Sequence, residues 1–298
     1  SSDLARLCRL VTTLAAQAPR APPKPTTHNN LTCTSHAAGR ITRRYLEPFF
    51  VGLLEGDGSI YMSKTRGGKW SYGRFQISLK ALPENEVMLK RISYLVGGSL
   101  NYDKSIKNKH TKIVWVALSQ KSVHLILKIF EKYPLLTSRK ICQLHHFKQC
   151  MSNRAWSYHL ETRDSRYDKQ QQIVEYYNQK FIIPDYFGPW LSGFFEAEGS
   201  FRSTHGLSVY TGQNDWYILN AIKAYFHSHH KLGTHKDNWP GRRPGPQYRL
   251  SMSGKPTIDR IIKHFENNPL LGYKKVSYDL FCERYRSSAA GKVTVASR

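Results

Sequence analysis

The sequence predicts an α+β chain of two similar halves, each running helix, strand pair, helix, strand pair, helix. Three observations carry that reading. Phe50-Val-Gly-Leu-Leu-Glu-Gly-Asp-Gly58 aligns without a gap against Leu191-Ser-Gly-Phe-Phe-Glu-Ala-Glu-Gly199. A second matched pair follows in the same order, Tyr133-Pro-Leu-Leu-Thr-Ser-Arg-Lys140 and Asn268-Pro-Leu-Leu-Gly-Tyr-Lys-Lys275. Between these markers, both halves alternate strand-like and helix-like apolar spacing in the same order. Two matched pairs in one order mark an internal duplication.

Taken in chain order, each first segment reads as a helix. Pro48 and Pro189 suit a first helical turn, and Gly58 and Gly199 suit left-handed C-terminal caps. Arg74–Lys80 alternates apolar Phe75, Ile77 and Leu79 with polar neighbours, the pattern of a strand with one solvated face. Val87, Leu89, Ile92 and Leu95 fall at helical spacing. Gly97-Gly98 then turns the chain into strands at Ser99–Tyr102 and Ile113–Leu118, and a helix carrying Val123, Leu127 and Phe130 ends near Pro134. The second half repeats this with strands at Leu207–Gln213 and Tyr248–Ser253. Its helices carry Ile218, Ile222 and Phe226, then Ile258 to Phe265. The expected divisions are a basic N-terminal extension (1–44), half one (45–151), a polar linker (152–186), half two (187–286) and a C-terminal tail (287–298).

Charge narrows the function. Lys and Arg number 45 against 21 Asp and Glu, a formal net charge of +24 in 298 residues. That excess repels itself in a compact fold, so a polyanionic partner is expected. Nucleic acid fits best, because neutralised phosphates release counterions. No long apolar run points to a membrane. The cysteines Cys8, Cys33, Cys142, Cys150 and Cys282 are odd in number and form no C-x-x-C pair, which argues against a disulfide scaffold or a zinc finger. Residues 1–46 hold seven basic residues against Asp3 alone, with Pro19, Pro22, Pro23 and Pro25. This stretch is expected to be transit-like, which would send the chain to a mitochondrion, or to be a partner-binding arm.

Asp57 and Glu198 sit immediately before the motif glycines, at the negative ends of their helices. A carboxylate is unfavourable there by about 0.3–1 kcal/mol, and a divalent cation would reverse that sign. Gly52, Gly56, Ser192, Gly193 and Ala197 are small enough for the two helices to approach closely. Packed about a pseudo-twofold axis, they would bring both acids to one end, as hard oxygen ligands for Mg²⁺ or Mn²⁺.

The paired segments resemble the LAGLIDADG signature of organellar, intron-encoded homing endonucleases, over roughly residues 45 to 286. The resemblance implies two αββαββα halves with antiparallel β-sheet saddles that bind double-stranded DNA. It implies a metal site made by Asp57 and Glu198 together with Gly56 and Ala197. Lys140 and Lys275 are then expected near the scissile phosphate, and Gln213 near the attacking water. Base edges would be read by Arg74, Gln76, Ser78, Gln247, Arg249 and Ser251. Lys64, Arg66, Lys69, Arg202, Arg242 and Arg243 would meet the nucleic acid around them. His227, His229, His230 and His235 read as a solvated loop, and His145-His146 carries no signal.

Two functions stand against each other. One is a metal-dependent DNA endonuclease acting as a monomer. The other is an RNA binder on the same fold, either an intron-splicing maturase or a recruited component of a mitochondrial ribosome, within a ribonucleoprotein. A DNA binder without cleavage ranks behind both. Preference for duplex DNA or structured RNA at matched salt separates the first two.

Overall fold

A computed structural model describes residues 41–103, 111–203, 206–235 and 247–295. Arg242, Arg243 and nearly all of the 1–44 extension lie outside the described residues.

Helix α1 (Arg43–Asp57) opens half one. Its N-cap is Thr42, whose hydroxyl accepts from the Tyr45 N–H at 3.3 Å. Pro48 therefore lies inside the helix rather than in its first turn. The carbonyl it leaves without an intrahelical donor is that of Arg44, on the exposed opening turn, where the loss is tolerated. Strands β1 (Gly58–Lys64) and β2 (Ser71–Lys80) follow, then α2 (Pro83–Val96), β3 (Ser99–Asp103), β4 (Lys112–Ala117) and α3 (Gln120–Lys132). The α2 core face is Met88, Leu89, Ile92 and Val96. Val87 points to solvent, because the buried stripe is rotated from the one its spacing suggested.

Helix α4 (Ser138–Asn153) begins after the first Pro-Leu-Leu turn. The expected linker is largely helical, with α5 (Trp156–Thr162), a 3₁₀ turn at Ser165–Tyr167 and α6 (Gln170–Lys180). Ile173 and Tyr177 bury its apolar side. Half two runs α7 (Phe187–Glu198), β5 (Gly199–Arg202), β6 (Ser208–Gln213), α8 (Trp216–Tyr225), β7 (Gly233–His235), β8 (Gln247–Ser253), α9 (Lys255–Asn267) and α10 (Lys274–Val295). Pro189 does sit in the first turn of α7. Each half thus has the expected αββαββα order, with one further helix after its Pro-Leu-Leu turn.

The two sheets share one topology, β1-β2-β4-β3 and β5-β6-β8-β7, with every pairing antiparallel. Registers place Phe75 and Ile77 opposite Ala117 and Trp115, and Val209 and Thr211 opposite Met252 and Leu250. All eight are buried, so one face of each sheet covers the core. The opposite face carries the alternate residues, which are mostly polar along β2 and β8. Gly58 and Gly199 are not left-handed caps. Both are extended, at φ −85° and −79°, and each begins a strand. Glycine is required because a Cβ there would lie 2.5 Å from the Leu54 carbonyl oxygen or 2.7 Å from that of Phe195.

Candidate active site and nucleic-acid face

Helices α1 and α7 meet backbone to backbone. A Cβ on Gly52 would lie 1.9 Å from the Trp190 carbonyl oxygen, and one on Gly193 would lie 1.9 Å from that of Phe49. Near the C-terminal ends, a Cβ on Gly56 would fall 2.3 Å from the Ala197 Cβ and 3.4 Å from the Glu198 Cγ. Only small residues permit such a crossing. The Ser192 hydroxyl also donates to the Asn268 carbonyl at 2.8 Å, within half two.

The crossing brings Asp57 and Glu198 together from opposite halves. Crowding by protein raises both carboxyls above the ordinary range. For Glu198 the nearby Asp57 charge adds to the rise, while Lys274 and Lys140 lower both. By surface area Asp57 is exposed and Glu198 half-buried, so solvent or a ligand reaches the pair and the shifts are damped. Two converging carboxylates, beside the chain at Gly56 and Ala197, make an all-oxygen donor set that suits a hard divalent cation.

The motif glutamates two residues earlier organise what surrounds that pair. Glu55 is buried and accepts from the Leu136 N–H (2.6 Å), the Thr137 N–H (2.9 Å), the Thr137 hydroxyl (3.2 Å) and the Trp190 indole (2.6 Å). Glu196 accepts from the Leu271 and Gly272 N–H groups at 2.6 and 2.7 Å. Each glutamate clamps the Pro-Leu-Leu turn of its own half. Burial pushes Glu55 up to about 7 against its four donors, and Glu196 is raised for the same reason.

These turns deliver the lysines. Lys140 is buried and donates to the carbonyl of Gly58, the residue after Asp57. Desolvation lowers its pKa, while Glu55, Asp57 and Glu198 hold it up. Lys275 does not reach the acids. It lies on the surface, paired with Asp279 one helical turn away. Lys274 is the lysine of that turn whose charge acts on Asp57, Glu198 and Glu196. The two turns also lead into their helices differently, since α10 starts one residue later after its turn than α4 does. Gln213 falls in the core-side row of β6 with Val209 and Thr211, and its amide oxygen accepts from the Asn214 N–H at 2.7 Å. It does not share the face that carries the polar rows.

That face gathers the other sequence-picked residues. Arg74, Gln76 and Ser78 of β2 occupy its row in half one; Arg202, Gln247, Arg249 and Ser251 occupy it in half two. Two tyrosines that sequence reasoning passed over belong beside them, and strand alternation was the signal that could have found them. Tyr61 donates to the Gln76 amide oxygen at 2.9 Å, and Arg74 donates to the same oxygen at 3.0 Å. Tyr210 has Arg202 at 4.7 Å and Arg249 at 5.7 Å from its ring centre. The Nε atoms of Arg74 and Arg249 and the Gln247 amide oxygen are buried without a hydrogen-bond partner, which leaves polar capacity for a bound molecule. Lys64 and Lys69 flank the β1–β2 turn that also holds Arg66, at the edge of this face.

Other expectations shift too. His230 is held between the Ser228 hydroxyl (2.9 Å) and the Ser253 hydroxyl (3.0 Å), so it is structural rather than part of a solvated loop, and His235 lies in β7. His146 is not silent either, because it clusters with Cys150 and His159.

Known proteins agree with this architecture. The LAGLIDADG endonuclease family matches residues 50–151 and 191–285. A protein of Dictyostelium citrinum named a probable intron-encoded endonuclease aI3 is 31% identical over 246 residues, covering 81% of this chain and 96% of that protein. A protein of Dictyostelium discoideum with the same name is 32% identical, covering 81% and 98%. Among solved structures, the I-LtrWI LAGLIDADG homing endonuclease bound to target DNA superposes with a TM-score of 0.61 at 16% identity, covering 84% of this chain and 92% of that one. With the repeated motif, the shared sheet topology and these matches together, the chain belongs to the LAGLIDADG endonuclease family.

Proposed function

We propose that the chain is a site-specific double-strand DNA endonuclease of a mitochondrial genome, acting as a monomer with Mg²⁺ or Mn²⁺. The observation that carries this is the meeting of Asp57 and Glu198, one from each half, beside two polar sheet faces. Two similar halves offer one approach to each strand of a duplex. The relatives named as intron-encoded endonucleases support the reaction and the organellar origin.

In this reading Asp57 and Glu198 hold the metal, with the carbonyl-bearing backbone at Gly56 and Ala197 beside them. When bound, such a cation lowers the pKa of an attacking water and neutralises charge on the departing oxygen. Lys140 and Lys274 supply positive charge next to the scissile phosphates, fixed before DNA arrives by the turns that Glu55 and Glu196 clamp. Arg74, Gln76, Gln247 and Arg249 present donors and acceptors to base edges in the major groove. Lys64, Arg66 and Lys69 meet phosphates at the rim.

The test is digestion of intronless organellar DNA from the source organism, with Mg²⁺ and then Ca²⁺, for the natural chain, Asp57→Asn and Glu198→Gln. One discrete Mg²⁺-dependent cut, lost in both variants while DNA affinity persists, is expected. Unchanged cutting in either variant would remove that acid from the centre. No cut, joined to tighter binding of structured RNA than of duplex DNA at equal salt, would favour the RNA-binding reading.

A further inference from the structure

We propose that His146, Cys150 and His159 form a zinc site that clips the linker onto half one and holds the β1–β2 turn in place. His146 and Cys150 lie one turn apart on one face of α4, and His159 comes from α5. The three donor atoms converge: His146 Nε2 is 3.2 Å from His159 Nδ1 and 3.4 Å from Cys150 Sγ, and Cys150 Sγ is 3.9 Å from His159 Nδ1. Tetrahedral zinc, with bonds of about 2.0–2.1 Å to nitrogen and about 2.3 Å to sulfur, separates two such nitrogens by about 3.3 Å and nitrogen from sulfur by about 3.6 Å. Two edges of the observed triangle fall within about 0.2 Å of these values, and the Cys150–His159 edge is about 0.3 Å longer.

Hydrogen bonding serves the same triangle less well. A neutral imidazole nitrogen offers either one lone pair or one proton. If Cys150 and His159 both donate to His146 Nε2, they share a single lone pair, and the third edge gains nothing. A cation would use all three lone pairs at once. All three residues are buried, and a soft thiolate with two imidazoles favours zinc over the oxygen-seeking ions expected at Asp57 and Glu198. Burial chiefly, then His159 and Arg166, pushes His146 down to about 4. Burial, Arg166 and Arg163 likewise disfavour a proton on His159. The two arginines oppose a cation, and loss of the Cys150 proton on binding offsets them. Three protein ligands leave the fourth position to a water.

The position gives the clip a purpose. Just beyond α4, the Arg154 carbonyl accepts from the Ser71 N–H at 2.8 Å, and the Trp156 N–H donates to the Lys69 carbonyl at 3.0 Å. Trp70 and Ala155 form an isolated bridge between these bonds. The Trp156 ring lies 4.7 Å from that of His159. The metal would thus fasten the segment against which the turn bearing Lys64, Arg66 and Lys69 is hung.

The experiment measures zinc per chain by mass spectrometry in full-length protein purified without a histidine tag or chelator, then replaces zinc with Co²⁺ and records the absorption spectrum. About one zinc per chain and a thiolate-to-cobalt charge-transfer band are expected. Both should vanish in Cys150→Ala and His159→Gln, and persist in Cys142→Ala and in the Asp57→Asn/Glu198→Gln double variant. Zinc affinity in the ligand variants should fall by more than the roughly 10–100-fold caused by losing an outer-shell partner. Zinc retained by Cys150→Ala would overturn the proposal. So would natural protein that holds no zinc and gives no cobalt–thiolate band, and that outcome stands even where a variant fails to fold.

Discussion

The two Pro-Leu-Leu turns start from the same parts and are finished differently. In both, a motif glutamate accepts backbone N–H groups of the turn, and a tyrosine at the start of the other motif helix donates to the proline carbonyl: Tyr186 to Pro134 at 2.7 Å and Tyr45 to Pro269 at 2.6 Å. Both are also tied across the molecule. Asp215 of half two accepts from the Ser138 N–H and hydroxyl at 2.7 and 2.6 Å, and Asn85 of half one accepts from the Tyr273 N–H at 2.9 Å. The difference begins at Thr137 and its counterpart Gly272. Thr137 adds a hydroxyl bond to Glu55, whereas a Cβ on Gly272 would meet Met88, Asn85 and Glu196 within 2.8–2.9 Å. After the glycine the helix starts a residue later, and the lysine whose charge acts on the acids is Lys274. A duplicated frame has kept where positive charge must arrive while changing which residue brings it.

The largest effect should come from the contact that both halves share equally. Gly52→Ala and Gly193→Ala each force a Cβ into a carbonyl oxygen of the partner helix. Each should cost on the order of 3 kcal/mol in urea denaturation, while Gly212→Ala, with nothing closer than 3.5 Å, should stay within about 0.5 kcal/mol of the natural chain. Unequal losses at Gly52 and Gly193 would break the symmetry of the crossing.

Glu55 sharpens the comparison through pH. Its folded carboxyl titrates near 7 against an ordinary 4.5, so the folded chain holds this proton more tightly than the unfolded one. That contribution is complete below about 4.5, declines as pH rises towards 7, and is flat beyond. The stability difference between the natural chain and Glu55→Gln should therefore fall from pH 5 to pH 8, by up to roughly 3 kcal/mol at about 1.4 kcal/mol per pH unit. A pH-independent difference would show that the four donors outweigh burial.

The smallest contrast lies in what each clamp leaves behind. Glu55→Ala strands the Trp190 indole and the Thr137 hydroxyl as well as two backbone donors, and Glu196→Ala strands the Leu271 and Gly272 backbone donors. Glu55→Ala should be the more destabilising by about 1–3 kcal/mol, the cost of the stranded indole, since the Thr137 hydroxyl can rotate to another acceptor. Equal losses would mean that the indole finds another acceptor.

Much of the fold was legible because it repeats. The paired motifs fixed the halves, and strict alternation in Arg74–Lys80 placed Arg74, Gln76 and Ser78 on one face. Register was less legible. Lys275 follows its Pro-Leu-Leu segment at the same spacing as Lys140, yet it lies on the surface beside Asp279, and nothing in a run of two lysines distinguishes them. Gln213 looked polar enough for a groove, but a period of two assigns it to the core-side row with Thr211. The capping role of Gly58 and Gly199 was misread because close contact with the preceding turn demands glycine as strongly as a positive φ does. The His146, Cys150 and His159 cluster was invisible because its third member arrives from a segment that read only as polar linker.

The most direct test of this account compares Lys274→Ala with Lys275→Ala, each assayed for cleavage and for DNA affinity on the natural target. Lys274→Ala should cut at least tenfold more slowly, a loss of about 1.4 kcal/mol of transition-state stabilisation, with affinity little changed, while Lys275→Ala should cut at the natural rate. Normal cutting by Lys274→Ala together with loss in Lys275→Ala would contradict it, and would mean that the two halves deliver their lysines in the same register after all.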